Sequence, residues 1–366
     1  MSSLTRVSAH ERNVLKSPLR IVSIGGGTGL STLLSGLKKH ARGVQDGPQA
    51  GSPVVEIAAV VTVTDDGGSS GRLRRDFDIL PPGDIRNCMT ALSEDEDLLS
   101  QLFQYRFASG RGLKGHSFGN LFLTAMHQIT GDFAHAVQLS SEILAIRGRI
   151  FPATSANVTL EATLQDGCVV RGESKISKSR RPIQVIRLHP ENCQPLDDAV
   201  DAIAKADLIT LGPGSLYTSV IPNMLVNGIP EAIAASSAMK VYFVNLMWQP
   251  GETINFSASQ HVEAINTHAG RRLIDCVVLN TGTIPPALRR KYARANVKPV
   301  ENDIDALAKM GVKVVTADLI GDAALVGRRV RHNPAALAEI VVDLGSRSRA
   351  HQVRKQSLAA QGTRYR

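Results

Sequence analysis

The stretch from Arg20 to Leu37, RIVSIGGGTGLSTLLSGL, limits the fold of this chain more than any other. Ile21, Val22 and Ile24 make a short buried strand. Residues 25–29, GGGTG, make a tight turn, and 30–38 have the apolar spacing of a helix. Adjacent glycines tolerate positive φ and leave the backbone unshielded. The first N–H groups of the helix, helped by its dipole, can then approach a phosphate. Strand, glycine turn and helix in this order open many nucleotide-binding α/β sheets. The spacing departs from both common versions. No lysine follows as in a P-loop, and the last glycine of the dinucleotide fingerprint is missing.

The α/β rhythm recurs along the chain. A second strand is predicted over 54–63, and helices over 95–107, 120–129 and 132–146. Residues 158–171 alternate in period two across Asp166-Gly167, a hairpin signal, and 183–188 read as a further strand. Helix 196–206, strand 207–211, a second glycine turn at 212–219 with a helix toward 227, helix 230–238 and strand 240–246 then follow. Helix 258–267, strand 274–279, helix 304–310, strand 312–317 and a final helix, or helix plus strand, over 332–342 complete the chain. The expected fold is α/β, a mostly parallel sheet flanked by helices with a small β-rich insertion near 150–190. Its ligand crevice belongs at the C-terminal ends of the strands. Residues 1–19 read as a flexible N-terminal extension, 20–344 as the α/β domain and 345–366 as a basic flexible tail.

Composition narrows the partners. The 366 residues are 43% apolar and only 4% aromatic, enough for a large core but poor in stacking platforms for single strands of nucleic acid. Six of the nine net positive charges of the chain fall between Arg347 and Arg366, where no acid occurs. A charge run of that kind reads as a solvated end, so nucleic acid is not the expected partner. Cys88, Cys168, Cys193 and Cys276 are widely spaced and read as reduced thiols. No transmembrane segment or signal peptide is expected, which suits a cytoplasmic protein.

Several polar loops belong at the strand ends. In TDDGGSSG, Asp65 and Asp66 can hold Mg²⁺ beside a phosphate, accept from a sugar hydroxyl, or simply cap the turn. Ser69 and Ser70 offer donors to an anion. Pro81, Pro82 and Gly83 pin a turn before Asp84, Arg86 and Asn87, where Asp84 reads as a helix cap or a ligand contact. His116, Ser117 and Asn120 sit between glycines at the mouth of a helix. Gly212, Gly214 and Ser215 form a second cradle. His261 and His268 lie seven apart without a glutamate in zinc-protease spacing, so no metal role is assigned to them. No nucleophile elbow is present.

The motifs SIGGGTGLSTLLSGLK, VTVTDDGGSSGRLRRDF, PPGDIRNCMTALS, GHSFGNLFLTAM and LGPGSLYTSVIPN, with QPGET and HVEAI, resemble the gluconeogenesis factor family (YvcK-like, UPF0052), which looks related to the CofD phospholactate transferases. The resemblance runs from Arg20 to about Leu344. It implies a Rossmann-like fold and a bacterial cytoplasmic protein needed for growth on gluconeogenic carbon sources and for cell shape through peptidoglycan synthesis. It also implies a UDP-N-acetylhexosamine ligand, with cell-wall synthesis proteins as partners; a homo-oligomer is expected. Gly26, Gly27, Thr28, Gly29 and Leu30 would then lie against the diphosphate and Asp65 and Asp66 at its metal or phosphate end. Asn87, His116, Asn120, Gly214 and Ser215 would surround the same cleft. Trp248 departs from the small hydroxyl residue expected before QPGET. The alternative is a CofD-like, Mg²⁺-dependent transferase moving a phosphorylated group from a nucleoside diphosphate donor, with Asp65 and Asp66 catalytic.

Overall fold

The first strand, β1 (Leu19–Gly25), and its neighbour β2 (Val55–Val61) are each buried at every position but one. Such strands have to be covered on both faces, which requires helices on either side of a parallel sheet. The computed structural model describes residues 17–41, 54–94, 98–321 and 329–363. Within them β3 (Arg149–Pro152), β7 (Leu208–Leu211), β8 (Met239–Phe243), β9 (Cys276–Asn280) and β10 (Lys313–Ala317) complete a seven-stranded sheet. Its order is β10-β9-β8-β7-β1-β2-β3 and every pairing is parallel. The chain leaves β1 toward β2 and β3, then returns to the other side of β1 as β7 and proceeds outward to β10. The reversal falls between β1 and β7, the topological switch point at which open α/β sheets form their crevice.

Between β3 and β7 lies the insertion. Strands β4 (Thr159–Leu164), β5 (Val169–Arg171) and β6 (Ile183–His189) form an antiparallel sheet in the order β5-β4-β6. His268 fastens it to the domain: its Nε2 accepts the Ile186 N–H at 3.1 Å, while its Nδ1 faces the Ala264 carbonyl at 2.7 Å. An acceptor nitrogen needs the neutral ring, and burial keeps the His268 pKa below its ordinary value.

Helix Gly27–Leu37 buries Leu30, Leu33, Leu34 and Leu37, one stripe at helical spacing. The last helix, Pro334–Thr363, packs along it through Leu337, Ala338, Val341 and Leu344. That helix corrects the expectation of a flexible tail from residue 345. Ser348, Arg349 and Val353 are buried. Arg349 Nη2 donates to Asp207 Oδ2 at 2.6 Å and to the Pro18 carbonyl, and Nη1 donates to the Ser17 carbonyl at 2.6 Å. Gln352 Nε2 reaches the Ser237 carbonyl at 2.6 Å. A run counted as solvated charge thus contains the partner of a buried carboxylate.

Other differences are local. The first helix begins at Gly27 rather than residue 30. Strand β3 and helices Gly68–Phe77 and Pro286–Arg294 lack a distinct sequence signal, and helix Gly83–Leu92 is marked only by the cap-like Asp84 at its start. Helix Gly68–Phe77 shows why: it buries Ser69, Ser70, Gly71 and Leu73, mostly small residues that carry no apolar stripe. Positions 1–16 of the expected extension, 42–53 of the first linker, 95–97 of the expected helix 95–107 and 364–366 of the tail lie outside the described residues.

Candidate functional site

Strands β1 and β7 end in register, with Ile24 opposite Leu211, and the Gly212 N–H donates to the Ile24 carbonyl at 2.9 Å. The two glycine turns therefore leave the sheet side by side. Gly26, Gly27, Thr28 and Gly29 from one turn and Pro213, Gly214 and Ser215 from the other line a single cleft of about 450 Å³. Asn245, Trp248 and Gln249 after β8 form a second wall, and Tyr292 with Arg329, Arg331 and His332 forms a third. Gln249 Nε2 donates to Ser215 Oγ at 2.9 Å and Asn245 Nδ2 to Gln249 Oε1 at 2.9 Å, which orients that wall. Tyr292 Oη accepts the Val330 N–H at 3.1 Å and so holds the segment that carries both arginines. Bare backbone on one side with aromatic rings and guanidiniums on the other can take a phosphate and a flat base.

A group of carboxylates lies beside the first turn. Asp84, in the opening turn of helix Gly83–Leu92, accepts the backbone N–H of Gly27. Burial, then the charge of Asp65, pushes the Asp84 carboxyl up to about 7 against that hydrogen bond and the Arg86 guanidinium. Glu173, on the short insertion helix Glu173–Ile176, is pushed up to about 9 by burial and then by Asp65, Asp84, Asp66 and Glu252. Glu252 is itself buried, accepting from the Tyr217 N–H at 2.9 Å and Thr218 Oγ1 at 3.0 Å. Asp65 Oδ1 accepts from the Gly67 N–H at 2.8 Å, whereas Asp66 Oδ1 accepts from the Ser174 N–H at 2.8 Å. The adjacent aspartates thus serve two different loops. Among the described residues no three His, Cys, Asp or Glu side chains gather to hold a metal ion.

The Asp84 shift has a measurable consequence. A carboxyl with a raised pKa in the folded state stabilises fully below its unfolded value of 3.8, and that contribution is lost as pH rises through about 7. Asp84→Asn should therefore gain over wild type roughly 2–4 °C more at pH 8.5 than at pH 5, a difference of about 1–3 kcal/mol. Differential scanning calorimetry at the two pH values checks this; equal shifts at both would remove Asp84 from the titration.

Comparison with known proteins then decides the family. The model of the 2-phospho-L-lactate transferase CofD family matches residues 21–320. The chain belongs to the CofD family. Within it, the chain is 46% identical over 325 residues to the gluconeogenesis factor of Bacillus subtilis, covering 89% of this chain and 98% of that one. The gluconeogenesis factor of Halalkalibacterium halodurans is 45% identical over 88% of this chain and 95% of its own length. A crystal structure of a UPF0052 family member from Bacillus halodurans superposes with a TM-score of 0.82 at 44% identity, covering 89% of this chain and 99% of that one. No helix among the described residues is long and apolar enough to cross a membrane.

In this CofD-family chain the site residues expected from sequence divide into groups. Gly26, Gly27, Thr28, Gly29, Gly214 and Ser215 share the cleft. Leu30 does not, since its side chain is fully buried under the sheet, and Gly212 shapes the turn from behind with a φ of 71°. Ser69, Ser70, His116, Ser117 and Asn120 form a buried cluster instead. Ser69 Oγ lies 3.0 Å from His116 Nδ1, and Asn120 Nδ2 donates to Ser70 Oγ at 3.3 Å. Ser117 Oγ accepts the Asn120 N–H at 3.3 Å as a helix cap. Asn87 faces a different groove, its Oδ1 taking Arg86 Nη2 at 2.6 Å. Tyr292, Arg329, Arg331, His332 and Glu173 carried no motif, since each enters the site from a segment without glycine-turn chemistry. Trp248, singled out by its departure from the family loop, stands in the cleft wall with Lys298 Nζ 5.7 Å above its ring.

Proposed function

We propose that this chain is a nucleotide-sugar-binding regulatory factor that takes a UDP-N-acetylhexosamine in the switch-point cleft. In this reading it is cytoplasmic and acts in growth on gluconeogenic carbon sources and in cell-wall assembly, with cell-wall synthesis proteins among its partners. The observation that carries the reading is the convergence of both glycine turns on one cleft whose far walls hold Trp248, Tyr292, Arg329 and Arg331. The turns supply N–H groups for the diphosphate. Rings and guanidiniums supply faces and edges for a base. The relatives' name, gluconeogenesis factor, supports the physiological part.

A second reading, transfer of a phosphorylated group from a nucleoside diphosphate, is favoured by one observation. Asp84 and Glu173 are carboxyls able to hold a proton near or above neutrality beside the phosphate turn. Calorimetry with UDP-N-acetylglucosamine, with and without Mg²⁺, and chromatography of released nucleotide over hours separate the two. The regulator reading expects saturable binding without turnover, and Asp66→Asn weakening binding by about 1–3 kcal/mol, as for a lost charge-assisted hydrogen bond. Steady multiple-turnover release, lost in Asp66→Asn protein that still binds, would promote the transferase.

A further inference from the structure

Helix Gly27–Leu37 has a flank that the nucleotide cleft does not use. There a separate groove of about 520 Å³ opens between that helix, helix Gly83–Leu92 and helix Leu98–Gln104. Its volume falls within the ordinary range of small-molecule sites. Arg86 and Arg106 both line it, and no Asp or Glu does among the described residues. Arg86 Nε is buried without a hydrogen-bond partner, although its Nη2 is held by Asn87. Arg106 is anchored by Nη1 to the Gly115 carbonyl at 2.6 Å, in a side chain otherwise exposed. Around the two guanidiniums the lining adds the Lys38 ammonium, held by the Ser93 carbonyl at 2.9 Å, and hydroxyl and amide groups from Ser35, Asn87 and Gln104.

We infer that this groove is a second, independent ligand site, for a phosphate monoester of a polyhydroxylated small molecule such as a hexose phosphate. Two guanidiniums in a groove whose lining holds no carboxylate among the described residues suit a dianion, because each can offer a paired set of donors to phosphate oxygens. Burial and then the neighbouring Arg106 hold the Arg86 pKa below the usual guanidinium value, a tension that a bound dianion relieves. The hydroxyl and amide lining discriminates for the rest of the ligand: it matches sugar hydroxyls and offers little to an apolar ester. The groove is separate from the nucleotide cleft except at Thr32, which borders both. It needs no N–H from either glycine turn, so the inference stands apart from the nucleotide-sugar reading.

The experiment is titration calorimetry of the full chain with glucose 6-phosphate, glucose and inorganic phosphate. Glucose 6-phosphate should bind, glucose should not, and inorganic phosphate should bind at least tenfold more weakly than the ester. Arg106→Gln, an exposed substitution not needed for folding, should weaken the ester at least tenfold, with Arg106→Lys in between. Gly27→Val, which alters the phosphate turn, should leave ester affinity within twofold of wild type. Absence of ester binding, equal affinity for inorganic phosphate, or ester binding retained in Arg106→Gln would each overturn the assignment. So would loss in Gly27→Val with retention in Arg106→Gln, which would move the ester to the nucleotide cleft.

Discussion

Asp207→Ala is expected to lower stability by about 3–5 kcal/mol, the range for removing one partner of a buried ion pair. For a chain of this size that is a fall in melting temperature of roughly 4–7 °C. Asp207 stands just ahead of β7 with a side chain only 3% exposed. Its Oδ2 accepts from the Arg20 N–H at 2.8 Å and from Arg349 Nη2 at 2.6 Å, and its Oδ1 from Arg20 Nη2 at 2.9 Å. Burial by itself would raise this carboxyl, but the hydrogen bonds from Arg20 and Arg349 outweigh it and hold the group below the usual carboxylate range. Stability from such a group is present above the unfolded carboxylate value and is lost as pH falls through the folded one. Alanine leaves Arg349 charged, 5% exposed and without its carboxylate. Deleting residues 346–366 should also destabilise, since it removes Arg349, Gln352 and Val353 together. A double substitution, Asp207→Ala with Arg349→Met, should recover more than half of the loss, because neither charge is then stranded. Calorimetric melting at pH 7 measures all of these. A loss below about 1 kcal/mol for Asp207→Ala would mean the pair does not dock the last helix.

The same residues show what a sequence conceals. Strand β1 and its turn were legible because their pattern is local: a β-branched run, three glycines, then leucines at helical spacing. The parallel sheet followed from repetition of that pattern, and the hairpin around Asp166-Gly167 from its alternation. Arg349 was not legible. Its meaning depends on Asp207, 142 residues earlier, and a lone arginine in a basic run looks the same whether solvated or paired. The site divides in the same way. Gly26 to Gly29 and Gly214 to Ser215 announce themselves through backbone chemistry, whereas Tyr292, Arg329 and Arg331 reach the cleft only because β8, β9 and β10 continue the sheet on that side. Asp84 was visible as a polar residue at a helix start. Its raised pKa was not, because that depends on Asp65 and on burial beneath the first turn.

If the cleft takes the nucleotide sugar proposed above, Gly29→Ala is expected to reduce UDP-N-acetylglucosamine affinity at least a hundredfold, about 2.7 kcal/mol or more. A Cβ at this position would lie 2.2 Å from the Pro213 carbonyl oxygen and 2.8 Å from the Gly214 Cα. Those are backbone atoms of the facing turn, so they cannot rotate away. The two turns must move apart, and the cleft they form together opens with them. Gly27 presents the opposite situation. Its φ is 61°, and a Cβ there would meet only Ser219 Oγ, at 3.5 Å. Gly27→Ala therefore has room but strains the backbone, at a cost of about 1–2 kcal/mol, and should leave the turns side by side with affinity reduced about tenfold or less. Gly27→Val adds a branched side chain at the cleft surface and should abolish binding. Calorimetric titration of the three variants, each first shown to melt cooperatively, gives the order Gly27→Ala, Gly29→Ala, Gly27→Val from strongest to weakest. Wild-type affinity in a folded Gly29→Ala protein would mean the ligand does not need the two turns in contact. The nucleotide would then have to be placed elsewhere in the molecule.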